Sequence, residues 1–265
     1  MFRVLVADDE PSAVDYICNI IKMKCPRLSV VATAENGEDG LAKFRKHLPE
    51  LVISDVKMPV MSGLDMVRQI KEAGEDVSVL LVSGYQEFEY VRTAMKYGVS
   101  DYILKPVTPA GFVAAVEPLF PAMYQRIYDQ RKKLVRSMII GEAQKEENVR
   151  RCFTEDAYYL AVIRENGLPR RFTDACEIEL ISEPEQTMFI YGRDEREALY
   201  LCPERVIARG KFAEFIRQEA CKKKNDGNFV TMVLKKTAAP VEELGTLVEA
   251  MYGEMNRRLS IGATQ

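Results

Sequence analysis

Five polar side chains that could take part in chemistry each follow a short apolar run of the sequence. They are Asp8 and Asp9 after residues 2–7, Asp55 after 51–54, Ser83 after 79–82 and Lys105 after 102–104. The runs are rich in β-branched residues and almost continuously apolar, which is typical of strands buried on both faces of a parallel sheet. Because ligands of open α/β sheets bind outside the carboxyl ends of the strands, we expect these side chains to converge.

The converging groups are three carboxylates, a hydroxyl and an ammonium. Three carboxylates repel one another strongly unless a cation neutralises them. A small site made of oxygen ligands suits Mg²⁺. This combination of a carboxylate cluster, a divalent cation and a lysine predicts phosphoryl chemistry.

Apolar runs alternate regularly with amphipathic stretches through the first 117 residues, which predicts five βα units. Pro11 and Ser62 mark helix starts, whereas Gly74 and Gly98 mark helix ends. The expected fold is an α/β, doubly wound, five-stranded parallel sheet with right-handed crossovers. The strands are predicted near 2–7, 29–33, 51–54, 79–82 and 101–103, and the helices near 11–24, 37–47, 63–73, 85–97 and 109–117.

The remaining sequence predicts a helical linker and a small α+β domain. Pro118 and Pro121 should end the fifth helix, and a new helix is expected at 122–140, before a polar stretch at 141–151. The predicted domains are therefore 1–120, a linker at 121–151 and a second domain at 152–265. That domain carries strands near 158–163 and 228–234, apolar runs at 176–181, 187–191 and 198–202, and helices near 210–222 and 240–259.

The composition is that of an ordinary globular protein, with 47% hydrophobic and 29% charged residues among 265. The sequence opens on a predicted strand rather than on the pattern of a signal peptide, and it has no apolar run of roughly 18 residues, so no membrane association is expected. The six cysteines are scattered, which predicts reduced thiols and a cytoplasmic protein. The net charge of −3 does not favour a DNA-binding body.

Four motifs carry a family resemblance. Residues 1–120 resemble the receiver domain of two-component response regulators, and the two later motifs are most similar to receivers of AraC-type regulators. The resemblance implies a flavodoxin-like sheet with strand order 2-1-3-4-5. The motifs are VLVADDEP at 4–11, LVISDVKMPVMSGLDM at 51–66, VSGYQEFEYVRTAMKYG at 82–98 and SDYILKP at 100–106.

The same resemblance implies a role for each acidic residue. Asp55 is the expected phosphoacceptor, a carboxylate nucleophile that receives the phosphoryl group from a partner sensor histidine kinase. Asp9 and Asp55 are expected to bind Mg²⁺ directly, and Asp8 through water. The backbone carbonyl of Lys57 completes the implied metal ligands.

The resemblance also implies roles for three residues on later strands. Lys105, joined to Pro106 by a cis bond, is expected to pair with the phosphoryl group. Ser83 is expected to donate its hydroxyl to a phosphoryl oxygen, and Tyr102 is expected to turn inward as Ser83 moves. Taken alone, each of these residues has an ordinary structural explanation as a turn, surface or half-buried strand residue.

Several enzyme classes do not fit the sequence, and we predict a signalling protein rather than an enzyme. Phosphatases of the haloacid dehalogenase type have a second aspartate where this chain has Lys57. A dinucleotide-binding fold needs a glycine-rich turn after its first strand, and an active nucleotide cyclase needs a double-glycine hairpin, for which Tyr191–Glu195 is a poor candidate. With His47 as the only histidine, neither a phosphorelay histidine nor a Ser-His-Asp triad is available.

Two outputs remain open. Parts of residues 152–265 resemble the middle domain of AraC-type regulators, a degenerate cyclase-like fold, so the chain could regulate transcription as part of such a protein. DNA would then be bound only through an output domain that this sequence does not contain. The alternative is a stand-alone receiver protein that acts by protein–protein contact. A homodimer is a further expected partner, through Phe112, Val113, Val116 and the apolar stripe of residues 122–140.

Overall fold

The structure, a computed structural model, divides the chain into two units, Met1–Arg126 and Ile127–Gln265. The predicted helix at 85–97 falls almost wholly outside the residues that the structure describes. The apolar run at 176–181 and most of the Tyr191–Glu195 turn also lie outside them. The described residues are 1–84, 97–166, 188–192, 196–207, 210–225 and 228–258.

The first unit is built on a five-stranded parallel sheet with the order β2-β1-β3-β4-β5. Both the doubly wound α/β fold and the expected strand order are therefore confirmed. The core strands are buried on both faces, which explains their continuous apolar runs. The elements are β1 (Phe2–Ala7), α1 (Pro11–Lys24), β2 (Leu28–Ala34), α2 (Gly37–His47), β3 (Leu51–Asp55), α3 (Gly63–Glu72), β4 (Ser78–Ser83), β5 (Asp101–Leu104) and α4 (Pro109–Val116).

Capping residues start the helices close to the predicted positions. The side chains of Asn36, Ser62 and Thr108 each accept a hydrogen bond from a backbone N–H in the first turn of the helix that follows. Such a cap stabilises a helix by about 1 kcal/mol. Gly74, with a φ of 80°, takes up the left-handed backbone that glycine accommodates after a helix. Gly98 has a similar φ of 70°.

The two prolines after α4 divide the helical region as the sequence predicts. A 3₁₀ turn at Glu117–Leu119 contains Pro118, and α5 (Phe120–Ile139) begins one residue before Pro121. Each proline thus lies in a first turn, where its missing N–H has no helical partner to lose.

Most of the apolar residues assigned to a self-association surface are in fact buried. Phe112 is 0% exposed and Val116 is 1% exposed, and Met123 of the following stripe is also buried. Leu134 and Met138 lie in the core of the second unit. These five side chains therefore pack within their own units and are not available to a partner. Val113 is half-buried, and self-association itself stays a prediction.

The second unit is a sheet-and-helix domain. Its strands pair antiparallel in the order β10-β6-β8-β7, and β9 pairs with β6. Part of α5 packs in its core, while the functional boundaries at 120 and 151 stay predictions. The elements are α6 (Glu146–Cys152), β6 (Ala157–Glu165), β7 (Phe189–Tyr191), β8 (Glu197–Pro203), α7 (Lys211–Asn225), β9 (Val230–Leu234), β10 (Ala239–Pro240) and α8 (Leu244–Arg258).

Alternate residues of β6 face two separate cores. Leu160 and Val162 belong to the cluster that contains α8 residues such as Val248. Tyr159 and Ala161 belong to the cluster on the other face, with α7 residues such as Phe212. Because successive side chains of a strand point to opposite faces and both faces of β6 are covered, almost all of its residues are apolar. In the described part of the chain, no helix combines the length and the apolar character needed to cross a membrane.

A charged pair is buried on the α8 face of this sheet. Arg164 of β6 and Glu197 of β8 are only 3% and 4% exposed, and their Nη1 and Oε2 atoms lie 3.3 Å apart. The Tyr252 hydroxyl donates a hydrogen bond of 2.9 Å to Glu197. Two charges removed from water remain tolerable only while they neutralise each other.

We predict that Glu197→Leu lowers the free energy of unfolding of the second unit by about 3–5 kcal/mol, because it removes a buried carboxylate that neutralises the buried guanidinium of Arg164. The double variant Arg164→Met/Glu197→Leu should recover most of this loss. Urea unfolding followed by circular dichroism measures both values. A single variant and a double variant that are equally destabilised would show that the charge pair is not the cause.

Candidate functional site

The register of the parallel sheet brings the predicted site residues to one edge. Ala7 of β1 pairs with Ser54 of β3, so the residues that follow, Asp8 and Asp55, lie side by side. Asp55 in turn pairs with Val82 of β4. Ser83 pairs with Leu104 of β5, which places Lys105 at the same edge.

Three carboxylates form the centre of the site. Oxygen atoms from Asp8, Asp9 and Asp55 all lie within 4.8 Å of one another. Asp8 is buried, Asp55 is half-buried and Asp9 is exposed. Like charges at this separation repel one another, and burial of Asp8 weakens the screening by water. The cluster therefore requires positive charge.

Lys105 supplies part of that charge. Its Nζ donates hydrogen bonds of 2.9 Å to Asp8 and of 2.9 Å to Asp55. Burial acts to lower the pKa of Lys105, but the hydrogen bonds and charges of Asp8 and Asp55 outweigh it and raise the pKa above its ordinary value. One ammonium against three carboxylates leaves these four groups net negative, which suits a divalent cation.

Backbone contacts hold the lysine and the aspartates in place. The N–H of Lys105 donates to the carbonyl of Ser83 at 2.8 Å, and the Lys105–Pro106 bond is cis, as the resemblance implies. Asp8 accepts a hydrogen bond of 3.0 Å from the N–H of Glu10. The N–H of Lys57 points to Asp55 Oδ1 at 3.4 Å.

The two residues predicted to form a switch lie on adjacent strands. Ser83 is buried at the end of β4, and Tyr102 is half-buried on β5, where it pairs with Leu81. Tyr102 also packs against the hydrophobic core of the first unit. These positions agree with the expected neighbourhood, and the switching role itself stays a prediction.

A sequence model of the response regulator receiver domain family matches residues 4–117. Residues 4–117 are a response regulator receiver domain. The match includes the carboxyl ends of β1, β3, β4 and β5, and with them all the site residues described above. It ends before the start of α5, so it covers none of the second unit.

Curated relatives align with the receiver domain and little beyond it. The transcriptional regulatory protein YesN of Bacillus subtilis is 33% identical over 132 residues, which cover 50% of this chain and 36% of YesN. The transcriptional regulatory protein HptR of Staphylococcus aureus is 32% identical over 138 residues, 52% of this chain and 52% of HptR. The chain thus spans about half, or less, of the length of these relatives.

Among solved structures, the REC domain of AraT, a response regulator from Geobacillus stearothermophilus, is similar to this chain. It has a TM-score of 0.44 and 31% identity, and covers 47% of this chain and 97% of that chain.

A contact beneath the receiver site was missed by the sequence reasoning. Gly63, the first residue of α3, lies so close to β3 that an added Cβ would be 1.9 Å from the Asp55 carbonyl oxygen and 2.5 Å from Ser54 Oγ. Ser54 Oγ donates to the same Asp55 carbonyl at 2.8 Å. In the sequence, Ser62-Gly63 indicates only a helix start, so nothing local pointed to this close approach.

We predict that Gly63→Ala destabilises the receiver domain by roughly 1–3 kcal/mol, because the added methyl overpacks a rigid backbone contact. It should also displace Asp55. Chemical denaturation measures the stability, and backbone chemical shifts of residues 54–56 report the displacement. The matched control is Gly253→Ala in α8, where an added Cβ meets nothing within 4 Å and where alanine should stabilise the helix by about 1 kcal/mol. Equal effects of the two variants would contradict the packing argument.

We predict an alkaline loss of stability that depends on Lys105. Because the folded-state pKa is raised, the stabilising effect is complete below the ordinary lysine pKa of 10.5 and is lost as the pH rises through the higher folded value. Unfolding free energies of wild type and Lys105→Met should therefore differ at neutral pH and converge above that value. The exposed Lys22 provides the control variant Lys22→Met. A difference that stays constant with pH would contradict the prediction.

Proposed function

We propose that the receiver domain accepts a phosphoryl group on Asp55 from a partner sensor histidine kinase, in a reaction that depends on Mg²⁺. One observation carries the proposal: Lys105 Nζ lies 2.9 Å from both Asp8 and Asp55 within a cluster of three carboxylates. A structural salt bridge needs one carboxylate for one ammonium. The excess of negative charge supports a site made to hold a cation and then a phosphoryl group.

In the proposed reaction, an Asp55 carboxylate oxygen attacks the phosphorus of a phosphohistidine. A new P–O bond forms as the P–N bond breaks, and the bonding electrons return to the imidazole of the kinase. Lys105 then transfers its hydrogen bond from Asp55 to a phosphoryl oxygen. Apart from Asp55, no side chain of the protein forms a covalent bond in this reaction. The protein therefore contributes mainly by positioning the reacting groups and by neutralising charge.

The residues of the cluster fit a bound Mg²⁺. Asp9 and Asp55 would hold it directly, Asp8 through water, and the carbonyl of Lys57 would complete the protein ligands. Carboxylate and carbonyl oxygens are the ligands that this cation prefers. When bound, Mg²⁺ would supply positive charge that offsets the negative charge of the carboxylates and of the arriving phosphoryl group.

The proposed signal passes from the phosphoryl group to the surface around β5. Ser83 would donate its hydroxyl to a phosphoryl oxygen, and Tyr102 would turn inward into the space that Ser83 leaves. The location of Ser83 at the end of β4 and of Tyr102 on the neighbouring strand supports this coupling.

We further propose that the chain regulates transcription as part of an AraC-type regulator. Two relatives named as transcriptional regulatory proteins share its receiver region. Both are longer than the part that aligns, and the second unit would be the middle domain. DNA would be bound by an output domain outside this sequence.

We predict that a small phosphodonor such as acetyl phosphate, with Mg²⁺, modifies the protein at Asp55. The Asp55→Asn protein should take up none, because an amide cannot act as the nucleophile. Intact-protein mass spectrometry after brief labelling measures the uptake. Asp65→Asn, which alters an exposed carboxylate on α3, should label like wild type. Stoichiometric labelling of the Asp55 variant would reject the assignment.

We predict that Mg²⁺ binds before any phosphate does, and that Asp9→Asn weakens it about tenfold more than Asp8→Asn does. The reason is that Asp9 would be a direct ligand, whereas Asp8 would act through water. Titration of the metal, followed by calorimetry, measures both affinities. Equal losses would mean that the division into direct and water-mediated roles is wrong.

A further inference from the structure

A groove lies on the receiver domain at the sheet edge opposite Asp55. It is formed where α1 ends and where α4 passes into the 3₁₀ turn, because both helices run from the carboxyl edge of the sheet to its amino edge. Its volume is about 160 Å³. The lining residues are Lys24, Cys25, Pro26, Arg27, Val113, Val116, Glu117 and Phe120.

The groove has an apolar floor and a charged rim. Cys25, Val116 and Phe120 are buried and form the floor. Lys24, Arg27 and Glu117 are exposed at the rim. Apolar walls with a few charged groups at the opening are typical of small-molecule sites, in which the walls provide affinity and the charges orient the ligand.

Aromatic contacts hold one wall of the groove in place. The Phe120 ring stacks on Phe2 with centroids 5.7 Å apart, and Tyr124 packs edge-on against Phe2 at 4.7 Å. The Arg27 guanidinium lies 5.3 Å from the centre of the Phe120 ring. Such a wall is ordered before a ligand arrives, so binding costs little conformational entropy.

We propose that this groove binds a small aromatic carboxylate. The volume suits one aromatic ring, since an apolar cavity of roughly 150 Å³ accepts benzene. The rim carries two cationic side chains, Lys24 and Arg27, against the one carboxylate of Glu117. This excess of positive charge favours an anionic substituent over a neutral or a cationic one. The ring would lie against Val113, Val116 and Phe120, with its carboxylate towards Lys24 and Arg27.

Ligand binding in the groove would affect the start of α5, because Phe120 belongs to both. This residue begins α5, and its ring is both a groove wall and part of the aromatic cluster with Phe2 and Tyr124. An occupied groove therefore braces the start of α5. None of the groove residues belongs to the cluster of Asp8, Asp9, Asp55 and Lys105.

The test uses the full chain with labelled valine methyl groups and benzoate as the probe. Benzoate should shift the Val113 and Val116 signals saturably, with a Kd on the order of 1 mM, as expected for a ligand with so few atoms. Benzyl alcohol and benzylammonium, of similar size, should bind at least about fivefold more weakly, because they lack the negative charge.

Two variants and a control locate the site. Lys24→Gln/Arg27→Gln should weaken benzoate about tenfold, because both rim cations are removed. Val113→Phe should abolish the Val116 shift by filling the groove. Lys22→Gln, which removes an exposed lysine of the same helix that does not line the groove, should leave binding unchanged.

Three results would overturn the proposal. The first is the absence of a saturable shift up to about 20 mM benzoate, far above the expected Kd. The second is equal binding of benzylammonium, which would remove the charge argument. The third is a loss with Lys22→Gln as large as with the double rim variant, which would indicate general attraction of anions to a basic surface.

Discussion

Repulsion among three carboxylates at one edge of a sheet is the constraint on which the receiver site depends. Lys105 relieves part of it, and its Nζ meets carboxylates that lie 97 and 50 positions away in the sequence. Those contacts exist only when β1, β3 and β5 are in place in one sheet. Folding and the chemistry of the site are therefore coupled, because Lys105 can neutralise the carboxylates only after the sheet has formed.

Backbone packing also determines where the site residues lie at this edge of the sheet. The aspartates follow directly from strand ends, but the position of Asp55 also depends on Gly63 and Ser54, which contact its carbonyl oxygen from below. Neither residue carries charge toward the cluster. They limit where the backbone of Asp55 can lie, and a carboxylate that must receive a phosphoryl group gains from such restriction because positioning is the main contribution of the protein.

Charged side chains are arranged differently in the two units. In the receiver domain, the charges gather at the open edge of a parallel sheet, where negative charge exceeds positive and a ligand can enter. In the second unit, Arg164 and Glu197 are buried between the antiparallel sheet and α8, and their charges oppose each other, with a hydrogen bond from Tyr252 to Glu197. An unbalanced and partly open cluster supports a binding role, whereas a balanced and closed pair supports a structural one.

Much of the receiver domain follows from sequence alone. Asp8, Asp9, Asp55 and Lys105 could be assigned to one site because buried parallel strands have a strong local signature and because their carboxyl ends must share an edge. The prolines at 118 and 121 likewise mark helix boundaries through local sterics. These features need only short stretches of chain, so the sequence carries them directly.

Other features were decided only by the tertiary structure. All the residues of α4 (PAGFVAAV) are apolar or small, so the sequence could not tell that Phe112 and Val116 face the core rather than a partner. The approach of Gly63 to Asp55 and the pairing of Arg164 with Glu197 join residues from different elements. Periodicity within an element predicts that a face is buried, but which face and against what depend on packing between elements that are distant in the sequence.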